Sequence, residues 1–231
     1  MLTLDCLTLR QDDFTLTANW SLKAGQRLAL IGPSGAGKST LLAGIAGFLT
    51  PAQGQVRWQG EGLNMLPPGK RPIAMLFQDG NLFPHLSVSQ NIGLGLRPNL
   101  KLTATDRDLI ANAMARVGLT GMENRRPAAL SGGQQSRAAL ARVLVMKRPV
   151  LLLDEPFSAL GPALRGEMLD LVAQVLDESG ATLIMVTHDP NDAARIADLI
   201  SVADNGTAGP PHPTHDLLAD PTAALREYLG K

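Results

Sequence analysis

Nine consecutive residues near the start of this chain set its architecture: Gly32-Pro33-Ser34-Gly35-Ala36-Gly37-Lys38-Ser39-Thr40. A short apolar run at residues 27–31 precedes them, and a helical pattern over residues 38–46 follows them. A glycine-rich turn between a strand and a helix lets backbone N–H groups surround a phosphate at the positive end of the helix. The pattern therefore predicts a phosphate-binding loop, with Lys38 bridging the terminal phosphates of a nucleotide and Ser39 ligating Mg²⁺.

A second motif follows much later in the chain, where the apolar run at residues 150–153 ends in Asp154 and Glu155. A continuous apolar run is typical of a strand that is buried on both faces. At the carboxyl end of such a strand, Asp154 is placed to hold the magnesium ion. Glu155 points to the other side of the strand end, so it can polarise a water for in-line attack on the terminal phosphate.

Strands and helices alternate around these two motifs. Further strands are predicted over residues 2–9, 14–20, 55–59, 73–77 and 182–186, and helices over residues 162–178 and 190–197. Residues 86–147 are mainly helical, with helices near 109–117 and 133–146, whereas residues 206–213 are loop-like and precede a short helix over 223–229. The alternation predicts an α/β fold with a mostly parallel sheet core, N-terminal antiparallel strands and an inserted helical subdomain.

Length and composition limit the alternatives. The chain has 231 residues, 45% hydrophobic and 18% charged, which is consistent with one well-packed domain. We assign residues 1–85 and 148–231 to its sheet core and residues 86–147 to its helical part. The formal net charge of zero excludes a globally basic nucleic-acid binder. The single cysteine, Cys6, excludes a disulfide framework and is expected to be buried. The apolar stretches are too short for a membrane span, and the first residues do not form a signal peptide.

A third motif lies at the predicted start of a helix: Leu130-Ser131-Gly132-Gly133-Gln134. A serine hydroxyl and glycine N–H groups at a helix N-terminus form a second candidate anion site, separate in sequence from the first. A chain of this size has room for one nucleotide site, so we expect the second anion site to bind the nucleotide of another subunit.

Together, the three motifs resemble those of the ATP-binding subunits of ABC transporters, and the resemblance covers nearly the whole chain. It implies a P-loop ABC ATPase that binds ATP and Mg²⁺, with the stretch around Ser131 as its signature. Gln78, which follows the strand at 73–77, matches the glutamine that contacts the metal and the attacking water. His188 matches the histidine that contacts the γ-phosphate. The resemblance thus implies Glu155, His188 and Gln78 as the catalytic residues.

The chain departs from the family pattern at three places. Gly161 stands where the family usually has aspartate, and Ser136 stands where glutamine is usual. The aromatic residue that stacks on adenine in the family has no clear counterpart. Gln11 lies near its place, and Phe14 or Arg10 are the alternatives.

The resemblance also implies partners. A lone ATP-binding unit implies a homodimer, and residues 81–88 with Asn91 and Ile92 resemble the segment by which bacterial import ATPases grip a membrane permease. A periplasmic binding protein would then deliver the substrate, and the chain would lie peripherally on the cytoplasmic face of the bacterial inner membrane. Residues 45–51, 91–96 and 100–102 are most similar to the ATPases of thiamine importers, with iron(III), molybdate and polyamine importers as alternatives.

Two other classes of protein share some of these features. One is a soluble ABC ATPase acting on DNA or ribosomes. The distance of 131 − 78 = 53 residues between Gln78 and Ser131 leaves no room for a long coiled coil, and zero net charge disfavours nucleic acid as a partner. The other is a P-loop kinase, which does not explain residues 130–134.

Overall fold

The computed structural model describes residues 1–78, 80–222, 225, 226 and 228 of the chain. The strands are β1 (Leu2–Gln11), β2 (Phe14–Leu22), β3 (Arg27–Ile31), β4 (Gln53–Trp58), β5 (Glu61–Gly62), β6 (Ile73–Leu76), β7 (Val150–Asp154), β8 (Thr182–Val186), β9 (Leu199–Asp204), β10 (Thr207–Ala208) and β11 (His212–Pro213). The helices are α1 (Lys38–Ala46), α2 (Val88–Gly93), α3 (Ala104–Arg116), α4 (Gly132–Val145), α5 (Pro162–Ser179), α6 (Pro190–Ile196) and α7 (Thr214–Ala219). Short 3₁₀ turns lie at Pro68–Lys70 and Pro127–Ala129.

The chain divides into two compact units. The first contains Met1–Ile73, Pro149–Asp154 and Gly180–Lys231, and the second contains Ala74–Arg148 and Glu155–Ser179. The second unit therefore begins before residue 86 and includes α5, which the sequence pattern assigns to the sheet core. Helix α5 joins this unit because it packs closely on the start of α4, where a Cβ on Gly133 would lie 2.6 Å from Cδ2 of Leu164. The assignment of the whole chain to a single domain stays a prediction.

The sheet of the first unit follows the order β5-β4-β1-β2-β10-β9-β3-β8-β7. Strand β3 pairs in parallel with β8 and β9, and β7 pairs in parallel with β8. Every residue of β7 and β8 is buried, as expected for strands that are covered on both faces. Strand β1 instead pairs antiparallel with β2 and β4. The predicted α/β fold, with a parallel core and antiparallel N-terminal strands, is confirmed.

Three helices of the second unit begin with the same kind of cap. The pairs are Ser87 with Gln90 at α2, Thr103 with Asp106 at α3, and Ser131 with Gln134 at α4. In each pair two backbone N–H groups at the helix start are satisfied by side chains. The apolar faces of these helices then pack into one cluster that includes Ile92, Met114 and Ala141. Of the helices in the described part of the chain, none is long and apolar enough to cross a bilayer.

The C-terminal part of the first unit holds more regular structure than the sequence predicts. The prediction of a loop over residues 206–213 is wrong at β10 and β11, and β9 and α7 were not predicted. Strand β10 has two residues, which pair in parallel with β2 and antiparallel with β9. Strands this short exist because neighbouring strands supply their hydrogen bonds, so the local residue pattern does not reveal them. The helix predicted over residues 223–229 falls mostly outside the described residues.

The expectation that Cys6 is buried is wrong. Cys6 is exposed and has φ 44°, at a place where the register of β1 shifts against β2. Its N–H donates to Oδ1 of Asn19 at 3.2 Å. Across the bulge, a Cβ on Gly54 would lie 2.2 Å from the carbonyl oxygen of Cys6. The bulge interrupts the alternation of β1, and this is why a residue type that is commonly buried turns outward here.

Helix α1 is held at its C-terminal end by a buried guanidinium. Arg71 is 2% exposed, and its Nη1 donates to the carbonyl oxygens of Gly44 at 3.0 Å and Ile45 at 2.7 Å. Its Nε donates to the carbonyl oxygen of Leu66 at 2.9 Å. Burial lowers the pKa of Arg71 through desolvation. The cation donates to carbonyls in the last turn of the helix and lies at the negative end of the helix dipole.

We expect Arg71→Met to lower the free energy of unfolding by about 2–4 kcal/mol, because the carbonyls of Ile45, Gly44 and Leu66 each lose a donor. Urea denaturation followed by circular dichroism measures the change. The matched control is Lys70→Met at the exposed neighbouring position, which should change the free energy of unfolding by no more than about 0.5 kcal/mol. Equal unfolding midpoints for the two variants would contradict the role given to Arg71.

Candidate functional site

The glycine-rich loop between β3 and α1 takes the conformation that its sequence predicts. Gly35 has φ 81° and Gly37 has φ 91°, both in the left-handed region that favours glycine. Gly32 is required for a different reason, since a Cβ there would lie 2.0 Å from the carbonyl oxygen of Ala203. The loop thus approaches β9 closely and then turns into α1, whose N-cap is Gly37.

The aromatic ring of Phe14 lies against this loop. A Cβ on Gly37 would stand 2.7 Å from Cε1 of Phe14 and 3.0 Å from Cδ1 of Leu16. Arg10 and Gln11, the other adenine-stacking candidates, are exposed at the end of β1. Phe14 therefore packs on the backbone of the loop, a contact that the sequence pattern gives no means of predicting.

The ammonium of Lys38 is held within the loop itself. Its Nζ donates to the carbonyl oxygen of Gly32 at 2.7 Å and to that of Pro33 at 2.8 Å. The residue is 8% exposed. These contacts place the positive charge inside the turn, where the N-terminus of α1 adds the positive end of its dipole. The loop is therefore built to attract an anion.

A hydrogen bond joins the first two motifs. Ser39 Oγ donates to Oδ1 of Asp154 at 3.1 Å. Asp154 is buried at the end of β7, whereas Ser39 is exposed. A hydroxyl and a carboxylate oxygen fit Mg²⁺, which in nucleotide sites takes one or two protein ligands together with phosphate oxygens and water. Among the described residues, no group of three His, Cys, Asp or Glu could hold a metal ion.

The parallel register brings the predicted residues of the first unit to one edge of the sheet. Val186 lies opposite both Leu30 in β3 and Asp154 in β7. His188 follows Val186 by two residues, is exposed, and accepts a hydrogen bond at its carbonyl from the Tyr228 hydroxyl at 2.9 Å. This edge therefore carries the end of β3, Asp154 and the segment of His188.

The turn that carries His188 is held by its neighbours on both sides. The N–H of Thr187 donates to the carbonyl of Leu30 at 3.3 Å. Its hydroxyl donates to Oδ2 of Asp192 at 2.9 Å and accepts the N–H of Asp189 at 3.1 Å. Asp189 in turn is the N-cap of α6. The turn is thus fixed to β3 and to α6 by a buried network.

In the second unit, the signature residues form the start of α4. Ser131 Oγ accepts the N–H of Gln134 at 3.3 Å, and Oε1 of Gln134 accepts the N–H of Ser131 at 3.0 Å. The two glycines differ in role, because a Cβ on Gly132 would meet nothing within 4 Å whereas one on Gly133 would strike Leu164. Gly133 is therefore required for packing against α5, and Gly132 leaves an open face at the helix start.

Other predicted residues of the second unit lie in turns. Glu155 has φ 43°, and its carbonyl oxygen accepts hydrogen bonds from the N–H of Ser158 at 3.4 Å and from its hydroxyl at 3.2 Å. A non-glycine residue at positive φ is strained, and such residues cluster at active sites. Gln78 is exposed in the turn after β6. Gly161 precedes α5, and its carbonyl accepts the N–H of Arg165 at 2.9 Å.

A comparison with protein families gives one match, described as ABC transporter, over residues 16–158. It spans all three motifs. The chain belongs to the ABC transporter family.

Individual relatives of this ABC protein are similar over the full chain. A thiamine import ATP-binding protein, ThiQ, of Ruegeria sp. is 60% identical over 230 residues and is covered completely, as is this chain. A protein of the same name from Cereibacter sphaeroides is 58% identical with the same coverage. Among solved structures, the ATP-binding cassette MJ0796 in a dimer bound to ADP and Pi has a TM-score of 0.82 at 28% identity, covering 93% of this chain and 99% of its own. CbiO1 of Clostridium perfringens has a TM-score of 0.81 at 30% identity, and the match covers 95% of this chain and 90% of the CbiO1 chain.

These comparisons confirm the ABC ATPase fold and the family that the motifs predict. The structure brings Ser39 and Asp154 into contact and places His188 at the same sheet edge as Asp154. The individual roles of the site residues of this ABC ATPase stay predictions. Sequence reasoning missed the contact of Phe14 with Gly37 and the network of Thr187, because both join residues far apart in the chain or depend on turn geometry.

We expect Gly37→Ala to be more destabilising than Gly35→Ala. Both substitutions place a side chain at positive φ, which costs about 1 kcal/mol, but the Cβ at position 35 meets nothing within 4 Å. The collision of the Cβ at position 37 with Phe14 should add about 1–3 kcal/mol. Urea denaturation of both variants measures the difference.

A double variant tests whether the ring is the cause. Phe14→Ala should by itself destabilise, yet Gly37→Ala should cost less in the Phe14→Ala background than in the wild type. Equal costs in the two backgrounds would show that the ring does not constrain the loop.

Proposed function

We propose that this chain is the ATP-binding and ATP-hydrolysing subunit of a bacterial thiamine importer. The observation that carries the proposal is the similarity, over the full length of both chains, to relatives named as thiamine import ATP-binding proteins. The loop geometry supports it, because the glycine turn at residues 32–40 is suited to nucleotide phosphates. In this proposal the transported thiamine does not touch the chain, which supplies free energy from ATP hydrolysis.

We assign Ser39 and Asp154 as the protein ligands of Mg²⁺ and Gln78 as a further contact. The support is that a hydroxyl and a carboxylate lie 3.1 Å apart at the start of α1. When bound, Mg²⁺ neutralises charge on the terminal phosphates of the nucleotide. Lys38, already held inside the loop, donates to the same phosphates, and the N–H groups of the loop surround them.

For hydrolysis, Glu155 accepts a proton from the attacking water and so orients it toward the γ-phosphate. Its strained turn directly after β7 supports this role, since the fold maintains a costly conformation there. Gln78 contacts the same water and the metal, and the His188 side chain contacts the γ-phosphate. The hydrogen bonds of Thr187 to Asp192 and Asp189 keep the turn of His188 in place.

The signature supports a homodimer in which each subunit completes the other's site. Ser131 Oγ accepts the cap hydrogen bond from Gln134, so its own proton remains for donation to an anion. Gly132 leaves an open face beside this hydroxyl, where a phosphate of the opposite subunit's ATP fits. A dimeric arrangement is described for the similar cassette MJ0796.

Residues 81–88, the docking segment, are proposed to contact the permease. Phe83 is 47% exposed and so offers apolar surface to a partner, and aromatic residues are enriched at protein interfaces. Through the permease the chain works with a periplasmic binding protein and lies on the cytoplasmic face of the inner membrane. Nucleic acid is not a partner in this proposal, since the net charge is zero.

We expect Glu155→Gln to slow ATP hydrolysis by roughly 10²–10⁴-fold, the usual contribution of a positioned base, while ATP still binds. The protein should then accumulate as an ATP-bound dimer, because the ATP that holds the dimer closed is not hydrolysed. Size-exclusion chromatography detects this dimer. Glu61→Gln, at an exposed position in β5, is the control and should hydrolyse ATP normally. Near-normal turnover of Glu155→Gln would remove Glu155 from the mechanism.

Reconstitution tests the transporter and its substrate together. The chain is placed in lipid with a permease and binding protein from its own genome, and ATPase rates are compared with thiamine, iron(III), molybdate and a polyamine. Thiamine-loaded binding protein should raise the rate, because a ligand shifts a conformational equilibrium by binding one state better. If only another compound stimulates the ATPase, that compound and not thiamine is the substrate. If DNA or ribosomes stimulate the ATPase without the permease, the protein is not a transporter subunit.

The docking segment has its own control in this experiment. Phe83→Glu should abolish stimulation and preserve the basal rate, and Phe83→Tyr should keep both. Full stimulation of Phe83→Glu would exclude the segment as the permease contact.

A further inference from the structure

The docking segment is held from one side by the helix that carries the signature. Arg142 of α4 donates from Nη1 to the carbonyl oxygen of Asn81 at 2.7 Å and from Nη2 to that of Gly80 at 2.8 Å. Both acceptors belong to the turn where the docking segment begins. Bidentate contacts of a guanidinium fix orientation as well as position.

The backbone of the turn is shaped to meet this guanidinium. Gly80 and Asn81 both have positive φ, at 64° and 44°. A Cβ on Gly80 would lie 3.2 Å from the Cβ of Ala139, which stands one helical turn before Arg142 on α4. The turn therefore packs against the surface of α4 and is also bound by the side chain of Arg142. Burial lowers the pKa of Arg142 through desolvation.

The other end of the docking segment is fixed by α2. Asn91 is fully buried, and its Oδ1 accepts the N–H of Phe83 at 2.7 Å. Its Nδ2 lies within hydrogen-bonding distance of the carbonyl oxygens of Phe83, Leu86 and Ser87 at 3.0–3.2 Å. The segment is thus internally rigid, and a force on Phe83 is carried to the whole of it.

We infer that Arg142 is the positioning residue that makes the docking segment and the signature move as one body. The inference rests on the proposed function, in which the permease contacts this segment. Ser131 caps the N-terminus of α4, and Arg142 lies 11 residues further along the same helix, about 16 Å by helical rise. A displacement of residues 80–81 therefore displaces α4, and with it the hydroxyl of Ser131, provided that the two hydrogen bonds of Arg142 persist.

Apolar packing also joins this region to α4, and Leu82 of the docking segment packs against the same apolar cluster. Helix α2 packs against α4 through the cluster that includes Ile92 and Ala141. Apolar contacts resist separation, but they do not fix a register as two charge-assisted hydrogen bonds do. Loss of Arg142 should therefore weaken the transmission of movement and leave the fold in place.

The test uses the complete importer with the variants Arg142→Met and Arg142→Lys. We expect Arg142→Met to lower the ratio of stimulated to basal ATPase rate by about three- to tenfold, with basal rate and ATP affinity unchanged. Arg142→Lys, which keeps the charge and one hydrogen bond, should lie between Arg142→Met and the wild type. Arg137→Met is the matched control, because Arg137 also lies on α4 and donates to the carbonyl of Val117 and to Glu167, away from the docking segment. Its ratio should equal that of the wild type.

Amide hydrogen exchange of the isolated chain gives a second readout that is independent of any permease. Exchange over residues 81–88 should be faster in Arg142→Met and unchanged in Arg137→Met. Unchanged exchange in Arg142→Met, an equal fall of basal and stimulated rates, or full stimulation of both Arg142 variants would overturn the inference. If exchange responds as expected but none of the four compounds stimulates the wild-type chain with its permease, the proposed function fails and Arg142 retains only a local structural role.

Discussion

Helix α1 is constrained at both ends, and the geometry of the nucleotide site depends on that constraint. At the N-terminus, the loop reaches β9 at Gly32 and supports the ring of Phe14 at Gly37. At the C-terminus, Arg71 binds the carbonyls of Gly44 and Ile45. A helix of nine residues is marginal alone, so these tertiary contacts fix its position. The contact of Ser39 with Asp154 follows from that position, since the helix brings its second residue to the end of β7.

The second requirement is the parallel register of β3, β8 and β7. Because parallel strands end at the same edge, Leu30, Val186 and Asp154 align across three strands. The apolar run that buries β7 therefore has two effects, since it fills the core and it carries Asp154 to the phosphate-binding loop. Asp154 is the last residue of β7 and meets a polar partner in Ser39, whereas a carboxylate earlier in the strand would lie among apolar side chains.

The sequence predicted best where a motif and a periodic pattern agree. Strand β3, α1 and β8 have the bounds that the pattern predicts, and the hydrogen bond between Ser39 and Asp154 joins the two motifs expected to meet. Prediction failed where structure depends on distant neighbours. Strands β10 and β11 have two residues each, and the bulge at Cys6 follows from pairing with β2 and β4. Arg71 and Arg142 look like ordinary surface cations in the sequence, because their acceptors are backbone carbonyls that no residue type reveals.

Gly161, which stands where the family usually has aspartate, shows whether the fold of the single chain requires a particular residue at this position. Gly161 stands at the N-cap position of α5, where aspartate is a strong cap and glycine is only a few tenths of a kcal/mol weaker. A Cβ at this position would meet nothing within 4 Å, so the chain could accommodate aspartate without strain. The fold of the chain therefore does not require glycine at this position. Glycine also costs the chain little stability here. Aspartate, which the family usually has here, is therefore not required by the cap or the packing of α5, and a homodimer of this protein would lack that carboxylate.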